Sequence, residues 1–332
     1  MGVEGTVHYD KTLTNLSVRF LEGDFDRQYI GMQVCPMVRE TERSGRFPVF
    51  GMDEFKYAAD DDLLSAEGES KLYAPSMSVD TYFCDIHSEE IRISEYDRLG
   101  ADAPFQVDVA RRIPEIVRRM RRRHELAVAT LLTTAGNYAA ANQKTANPKW
   151  DAANATPCKD IEDWMEAMAL QCGVLPDTIV FPVACWSVFH NLEVVRDAIK
   201  GDRGGTVRRE DVQEHFGLRN VLIGRGVRDT AKKGQTGSLT RLWAGKAIQM
   251  LYVGASAQTK ETAATAKTFT WNPRELKGVV QQGMTVGIIP DRLRGGNPGM
   301  KIGRVDWNYC VKATGVNEAG KIISGLFGNV LT

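Results

Sequence analysis

Between Phe105 and Tyr138, apolar residues recur with the spacing of one helical face: Ala110, Ile113, Val117, Met120, His124, Ala127 and Leu131. Positions three and four apart lie on one side of an α-helix, so this stripe requires a partner layer to bury it. A helix of ~30 residues spans about 45 Å, more than the width of a small domain. The chain must therefore fold around a rod that crosses the molecule, with its other elements laid along it. Pro104 precedes the stripe, and Pro114 either kinks the rod or stands in the first turn of its main part.

The polar side of this rod is densely basic. Arg111-Arg112, Arg118-Arg119 and Arg121-Arg122-Arg123 fall within about four turns, where they repel one another unless carboxylates or other anions oppose them. Three arrangements answer that need: a solvated face with intrachain ion pairs, a docking surface for an acidic partner, or a face turned toward nucleic acid. The chain carries its own segment of opposite sign, with Asp53, Glu54, Asp60, Asp61, Asp62, Glu67 and Glu69, which favours docking. A basic rod and an acidic projection on one subunit suit head-to-tail contacts that close into rings or lattices.

The acidic segment lies between two strand-like runs. Arg46-Phe47-Pro48-Val49-Phe50 leads in, and Met77, Val79, Thr81 and Phe83 alternate with Ser78, Asp80 and Tyr82 on the way out, with Ile91 and Ile93 continuing the alternation. The connection between the runs, from Gly51 to Pro75, exceeds the ~12 to 15 residues usual inside a domain and predicts a long projecting hairpin or loop. Before it, the first forty or so residues sustain neither period for long and read as an arm packed on the body or on a neighbour.

After the rod, the polar stretch Asn142 to Lys159 marks a boundary. Asp160 is expected to cap a helix with Ile161, Trp164, Met168 and Cys172 on one face and Gly173 at its end. Thr178-Ile179-Val180-Phe181 reads as a buried strand, Ala184 to Ile199 as a helix, Arg209 to Phe216 as another ending at Gly217, and Asn220 to Ile223 as a strand. More strand-like sequence follows from Leu242 to Val253. The last seventy or so residues are β-rich: Val305, Trp307, Tyr309, Val311 and Ala313 keep strict alternation, with Met284 to Val286 and Lys321 to Ile323 as companions and a turn at Arg294 to Gly299.

Catalytic signals are weak throughout. Gly224-Arg225-Gly226 follows a strand, as a dinucleotide-binding turn would, but no third glycine or convincing helix comes after it. His87 stands three positions after Cys84 without two further ligands, and no GxSxG motif occurs. The six cysteines, Cys35, Cys84, Cys158, Cys172, Cys185 and Cys310, form no CxxC pair and read as reduced apolar residues. We expect no catalytic, cofactor or metal site. The 42 basic and 42 acidic residues cancel, which excludes the global positive field of tight, salt-sensitive nucleic-acid binding. No apolar run reaches the ~20 residues of a membrane span.

The order of these elements resembles the major capsid proteins of tailed bacteriophages, with the HK-type capsid fold that encapsulins share. The resemblance rests on the arm around Leu13-Thr14-Asn15-Leu16-Ser17 and Gln33 to Val38, on Ser44-Gly45-Arg46-Phe47 ahead of the long loop, and on the spine helix. Phe216-Gly217-Leu218-Arg219-Asn220-Val221-Leu222-Ile223-Gly224, Leu242 to Ala247 and Thr268-Phe269-Thr270-Trp271 carry it further. It implies an α+β fold with an N-terminal arm (1–43), an extended β-loop (44–97), a peripheral domain with the spine helix (98–157 and 266–332) and an α/β axial domain (158–265).

It further implies a non-enzymatic shell subunit that self-assembles through pentamers and hexamers into an icosahedral virion capsid around double-stranded DNA, assembled in the host bacterial cytoplasm. Expected partners are further copies, a portal, scaffold or decoration proteins, and packaged DNA through weak nonspecific contact, with no membrane. The absence of a long, charged, helical extension before the arm implies that scaffolding is separate, cleaved or unnecessary. The expected assembly residues are Asp53, Asp60, Asp61, Asp62, Glu67 and Glu69 against Arg111, Arg112, Arg118, Arg119 and Arg122. An encapsulin-type nanocompartment is the alternative of the same fold, and a nucleotide-dependent α/β enzyme the alternative of another class.

Overall fold

The stripe forms a helix of 25 residues, Val109–Thr133, in a computed structural model that describes residues 8–9, 29–49, 78–93, 109–201, 205–231, 234–254, 259–274, 280, 282–290 and 301–332. Pro104, the acidic residues from Asp53 to Glu69 and the turn from Arg294 to Gly299 lie outside the described residues. Pro114 stands inside the helix. The buried face runs through Ile113, Ile116, Val117 and Met120 to His124, Glu125, Val128, Ala129 and Leu132, while the expected Ala127 and Leu131 are only half-buried. The later steps are four residues long and each overshoots a full turn by about 40°, so the face winds around the rod.

The winding lets the helix serve two cores. Its first half packs on Met284, Val286, Val305 and Trp307, and its second on the arm, Phe269 and Trp243. It stops at Thr133, short of Tyr138, where side chains take over the terminal carbonyls. Asn137 Nδ2 donates to Leu131 O at 2.7 Å and Tyr138 Oη to Leu132 O at 2.9 Å.

Beneath the helix lies a six-stranded sheet. Its strands are β1 (His8–Tyr9), β2 (Met37–Glu40), β5 (Asp85–Ile93), β12 (Ala266–Trp271), β13 (Met284–Pro290) and β14 (Lys301–Ala313). The order is β1-β13-β14-β12-β2, with β5 also pairing β14. The alternation of β14 turns Val305, Trp307 and Tyr309 into the core under the helix. The arm supplies strands at both flanks, with β1 antiparallel to β13 and β2 parallel to β12.

The base of the long loop is a two-stranded ribbon of β3 (Ser44–Val49) and β4 (Ser78–Phe83). Its inward face is the reverse of the expected one. Tyr82 is buried, while Val79 and Phe83 are 57% and 51% exposed. Phe47 and Tyr82 stack on Phe269 at 5.3 and 4.5 Å between centroids, and the Arg43 guanidinium covers the outward Phe83 ring at 4.6 Å. Aromatic stacking therefore decides the face over the simple apolar count.

A second sheet of five strands, ordered β6-β15-β11-β7-β8, contains β6 (Gln143–Thr145), β7 (Thr178–Pro182), β8 (Asn220–Gly224), β11 (Ala247–Leu251) and β15 (Gly325–Asn329). Every residue of β7 and β11 is buried, because both faces are covered. Ile179 and Phe181 meet the helices on one side, and Val180 joins the spine-helix core on the other. Gly173 and Gly217, at φ 69° and 64°, end the helices Pro157–Cys172 and Arg209–Phe216 as expected.

Three local readings need correction. The first helix opens at Pro157, and Asp160 in its first turn accepts from Trp150 Nε1 at 2.9 Å instead of capping. Ala184 to Ile199 divides into Val183–Phe189 and Glu193–Lys200, with His190 Nδ1 at 2.6 Å from Trp186 O and Asn191 Nδ2 donating to Ser187 O in the break. Ile322 makes isolated bridges only, and the strand near the C-terminus is β15. A Cβ at Gly328 of β15 would lie 2.2 Å from Trp164, so glycine is what lets helix and strand approach.

Candidate assembly surface

The helix divides its arginines among several neighbours. Arg119 and Arg123 reach the Glu89 carboxylate of β5 at 3.5 and 2.8 Å, and the Glu89 side chain is only 10% exposed. Arg112 pairs with Glu115 one turn on at 3.0 Å, while Arg118 is exposed. Arg122 Nε donates to Tyr29 Oη at 2.8 Å, and Arg121 lies 5.8 Å from the centroid of the same ring. Arg111 is part of the helix, but its side chain is outside the described set. The structure thus brings Arg112, Arg118, Arg119 and Arg122 onto one element, and it sets intrachain partners against three of them. Their proposed counterparts Asp53, Asp60, Asp61, Asp62, Glu67 and Glu69 fall outside the described residues.

Sequence reasoning misses the buried carboxylate that organises this region. Glu125 is 1% exposed and accepts from the Ile30 and Gly31 amides of the arm and from Trp243 Nε1. Burial pushes its carboxyl above the ordinary range, against the pull of those three donors and of Arg121. The available signal is a glutamate directly after the stripe residue His124.

His124 is also buried, with Nε2 2.9 Å from Thr268 Oγ1 and its ring 5.3 Å from both Trp307 and Tyr309. Burial, aided by Arg121 and His87, lowers its pKa to about 3. The ring is therefore neutral at ordinary pH. His87 stacks on Tyr309 at 4.4 Å, and its pKa too is lowered, chiefly by burial.

The remaining sequence candidates have packing roles. A Cβ at Gly224 would sit 2.3 Å from Trp243, and one at Gly226 would press on Leu242 and Tyr29. The segment after them is β9 (Val227–Asp229), paired with β10 (Leu239–Arg241). A phosphate-binding turn would instead open a helix there. Cys84 Sγ faces Phe269 O at 3.5 Å, and burial raises its pKa to about 12, which suits an inert thiol. Among the described residues, no group of three or more His, Cys, Asp or Glu side chains could hold a metal ion. No described helix is long and apolar enough to cross a membrane.

No family model matches the chain. In sequence it is 26% identical over 220 residues to the major capsid protein of Burkholderia phage BcepMu, covering 66% of this chain and 69% of that protein. In fold it is similar to a phage-related protein from Bordetella bronchiseptica RB50, with TM-score 0.71 and 16% identity over 98% of both chains. It is also similar to the capsid of Cyanophage P-SCSP1u, with TM-score 0.51 and 10% identity over 89% of this chain and 86% of that one. A chain from Mycobacterium phage Adephagia aligns with TM-score 0.51 and 14% identity over 94% and 92%. At such identities the structural likeness speaks for the fold. The long helix over one sheet, the second sheet covered on both faces and the arm that joins them form an α+β capsid fold of HK type, and in sequence and fold together the chain resembles the major capsid proteins of tailed phages.

Proposed function

We propose that this chain is the major capsid protein of a tailed phage, a non-enzymatic subunit that assembles through pentamers and hexamers into an icosahedral shell around double-stranded DNA. The observation that carries this reading is the sequence match to a phage major capsid protein over 220 residues. The same match favours a genome shell over a nanocompartment. Its site of action is the virion, after assembly in the host cytoplasm. Its partners are other copies, a portal, scaffold or decoration proteins, and packaged DNA in weak nonspecific contact.

In this reading residues 1–43 are the arm and 44–97 the extended loop, with a peripheral domain of 98–157 and 266–332 and an axial domain of 158–265. The five-stranded sheet takes β6 and β15 from the peripheral spans, so the axial core depends on strands from both sides of its own segment. The assembly contact we infer sets Asp53, Asp60, Asp61, Asp62, Glu67 and Glu69 of one copy against Arg111, Arg112, Arg118, Arg119 and Arg122 of the next. It is supported by a helix face that keeps Arg118 and Arg122 exposed.

Negative-stain electron microscopy with sedimentation tests both levels. The wild type is expected to give closed shells or capsomer rings, and a chain that stays monomeric even with its scaffold would overturn the shell reading. Reversing Asp60, Asp61 and Asp62 to lysine is expected to abolish particles while the melting curve stays that of wild type. Normal particles from this variant would overturn the acidic contact alone.

A further inference from the structure

Two remote stretches of chain converge on one carboxylate of the spine helix. The Ile30 amide at 3.0 Å and the Gly31 amide reach Glu125 from the arm, and the Trp243 indole N–H reaches it from the segment between β10 and β11. The joint is buried and tight. Tyr29, Ile30, Glu125 and Trp243 are all at most 5% exposed, and a Cβ on Gly31 would come within 2.4 Å of a Glu125 oxygen. Tyr29 closes its outer side, held by Arg122. On the other side Gly226 admits both Tyr29 and Leu242, since a Cβ there would lie 3.2 Å from the first and 3.0 Å from the second.

All three groups are donors, and only a carboxylate offers acceptor oxygens to all of them without placing an N–H against an N–H. Ile30 and the Trp243 indole share Oε1. A shift of that oxygen toward one donor withdraws it from the other. The arm and the Trp243 segment are therefore held through a common atom, in a low-dielectric site where an unpaired donor is costly.

We propose that Glu125 couples the arm to the five-stranded unit, so that arm docking and seating of the Trp243 segment are gained and lost together. Coupling of this kind is reciprocal: a change made on either side must be felt on the other. The proposal goes beyond the shell reading and stands without it.

Hydrogen exchange read by mass spectrometry on the full chain tests it. The arm is reported by the amides of Val34 and Cys35, bonded to Ile30 O and Gly31 O, and the segment by the Leu242 amide, bonded to Gly226 O. Trp243→Phe keeps an aromatic ring but removes the indole N–H along with the second ring, and it is expected to speed arm exchange about fivefold. Gly31→Ala is expected to speed exchange at Leu242 by a similar factor, and Glu125→Gln to speed both, while peptides over β7 keep the wild-type rate. The proposal is overturned if Trp243→Phe and Gly31→Ala each alter only their own segment, or if β7 accelerates equally, which would mean global unfolding. Those two variants decide the matter even if Glu125→Gln fails to fold.

Discussion

The two larger sheets among the described residues are secured in different ways. The five-stranded sheet is held by apolar packing on both faces, largely by residues close to it in sequence: Trp150, Phe181, Trp186 and Phe189 form one aromatic cluster around β7. The six-stranded sheet is stitched from remote stretches: arm, β5, β12 and the β13–β14 pair. Besides strand pairing and the apolar core under the helix, polar side chains add joints at single points. Glu125 holds the arm, His124 holds Thr268, and Glu89 holds Arg119 and Arg123. A sheet covered on both faces can close on hydrophobic area, whereas joints between segments remote in sequence gain register from groups that accept only one geometry.

Cutting into the aromatic cluster should have the largest effect. Phe181→Ala is expected to cost about 3 to 5 kcal/mol, measured by denaturant unfolding. A loss below about 1 kcal/mol would mean that area is not what holds the five-stranded unit.

A pH dependence that belongs to the other sheet comes next. His124 is held near pKa 3 by burial and returns to its ordinary 6.5 on unfolding, so the unfolded chain binds the proton first. Its contribution is full above pH 6.5 and is lost as pH falls toward 3, by about 2 kcal/mol at pH 5. Glu125 acts in the opposite sense, since its raised pKa favours the folded state as pH falls. The His124→Gln variant separates the two: its melting temperature should fall less between pH 7 and pH 5 than that of wild type. Equal falls would remove His124 as the acid-sensitive joint.

The smallest effect sharpens the contrast between single-point joints and solvated pairs. Arg112→Ala breaks an ion pair whose partners are 41% and 54% exposed, and it should change stability by no more than about 0.5 kcal/mol. A loss as large as that from a buried joint would mean that the arginine face is structurally committed.

What could be read from the residues follows the same division. The continuous apolar run of β7, the alternation of β14 and the glycine stops at 173 and 217 are local signals, and each corresponds to an observed feature. The strand β15 escaped because Gly325 and Gly328 leave gaps in any apolar pattern, gaps that Trp164 and other neighbours fill from a distance. The face of β4 was misread because Phe269, nearly two hundred residues away, selects Tyr82. The arginines of the helix are legible as a cluster, but their pairing with Glu89 and Tyr29 and the burial of Glu125 are not. No spacing along the chain relates an arm residue to a carboxylate about a hundred positions later.

The 25-residue helix is about 37 Å long. A rod of that length converts small angles into distances: tilting one end by about 5° displaces the other by about 3 Å, the length of a hydrogen bond. Arg119 and Arg123 tie the helix to Glu89, and its own Glu125 ties it to the arm and Trp243, all within about 9 Å of its length, so a small rotation about this middle region is magnified at both ends.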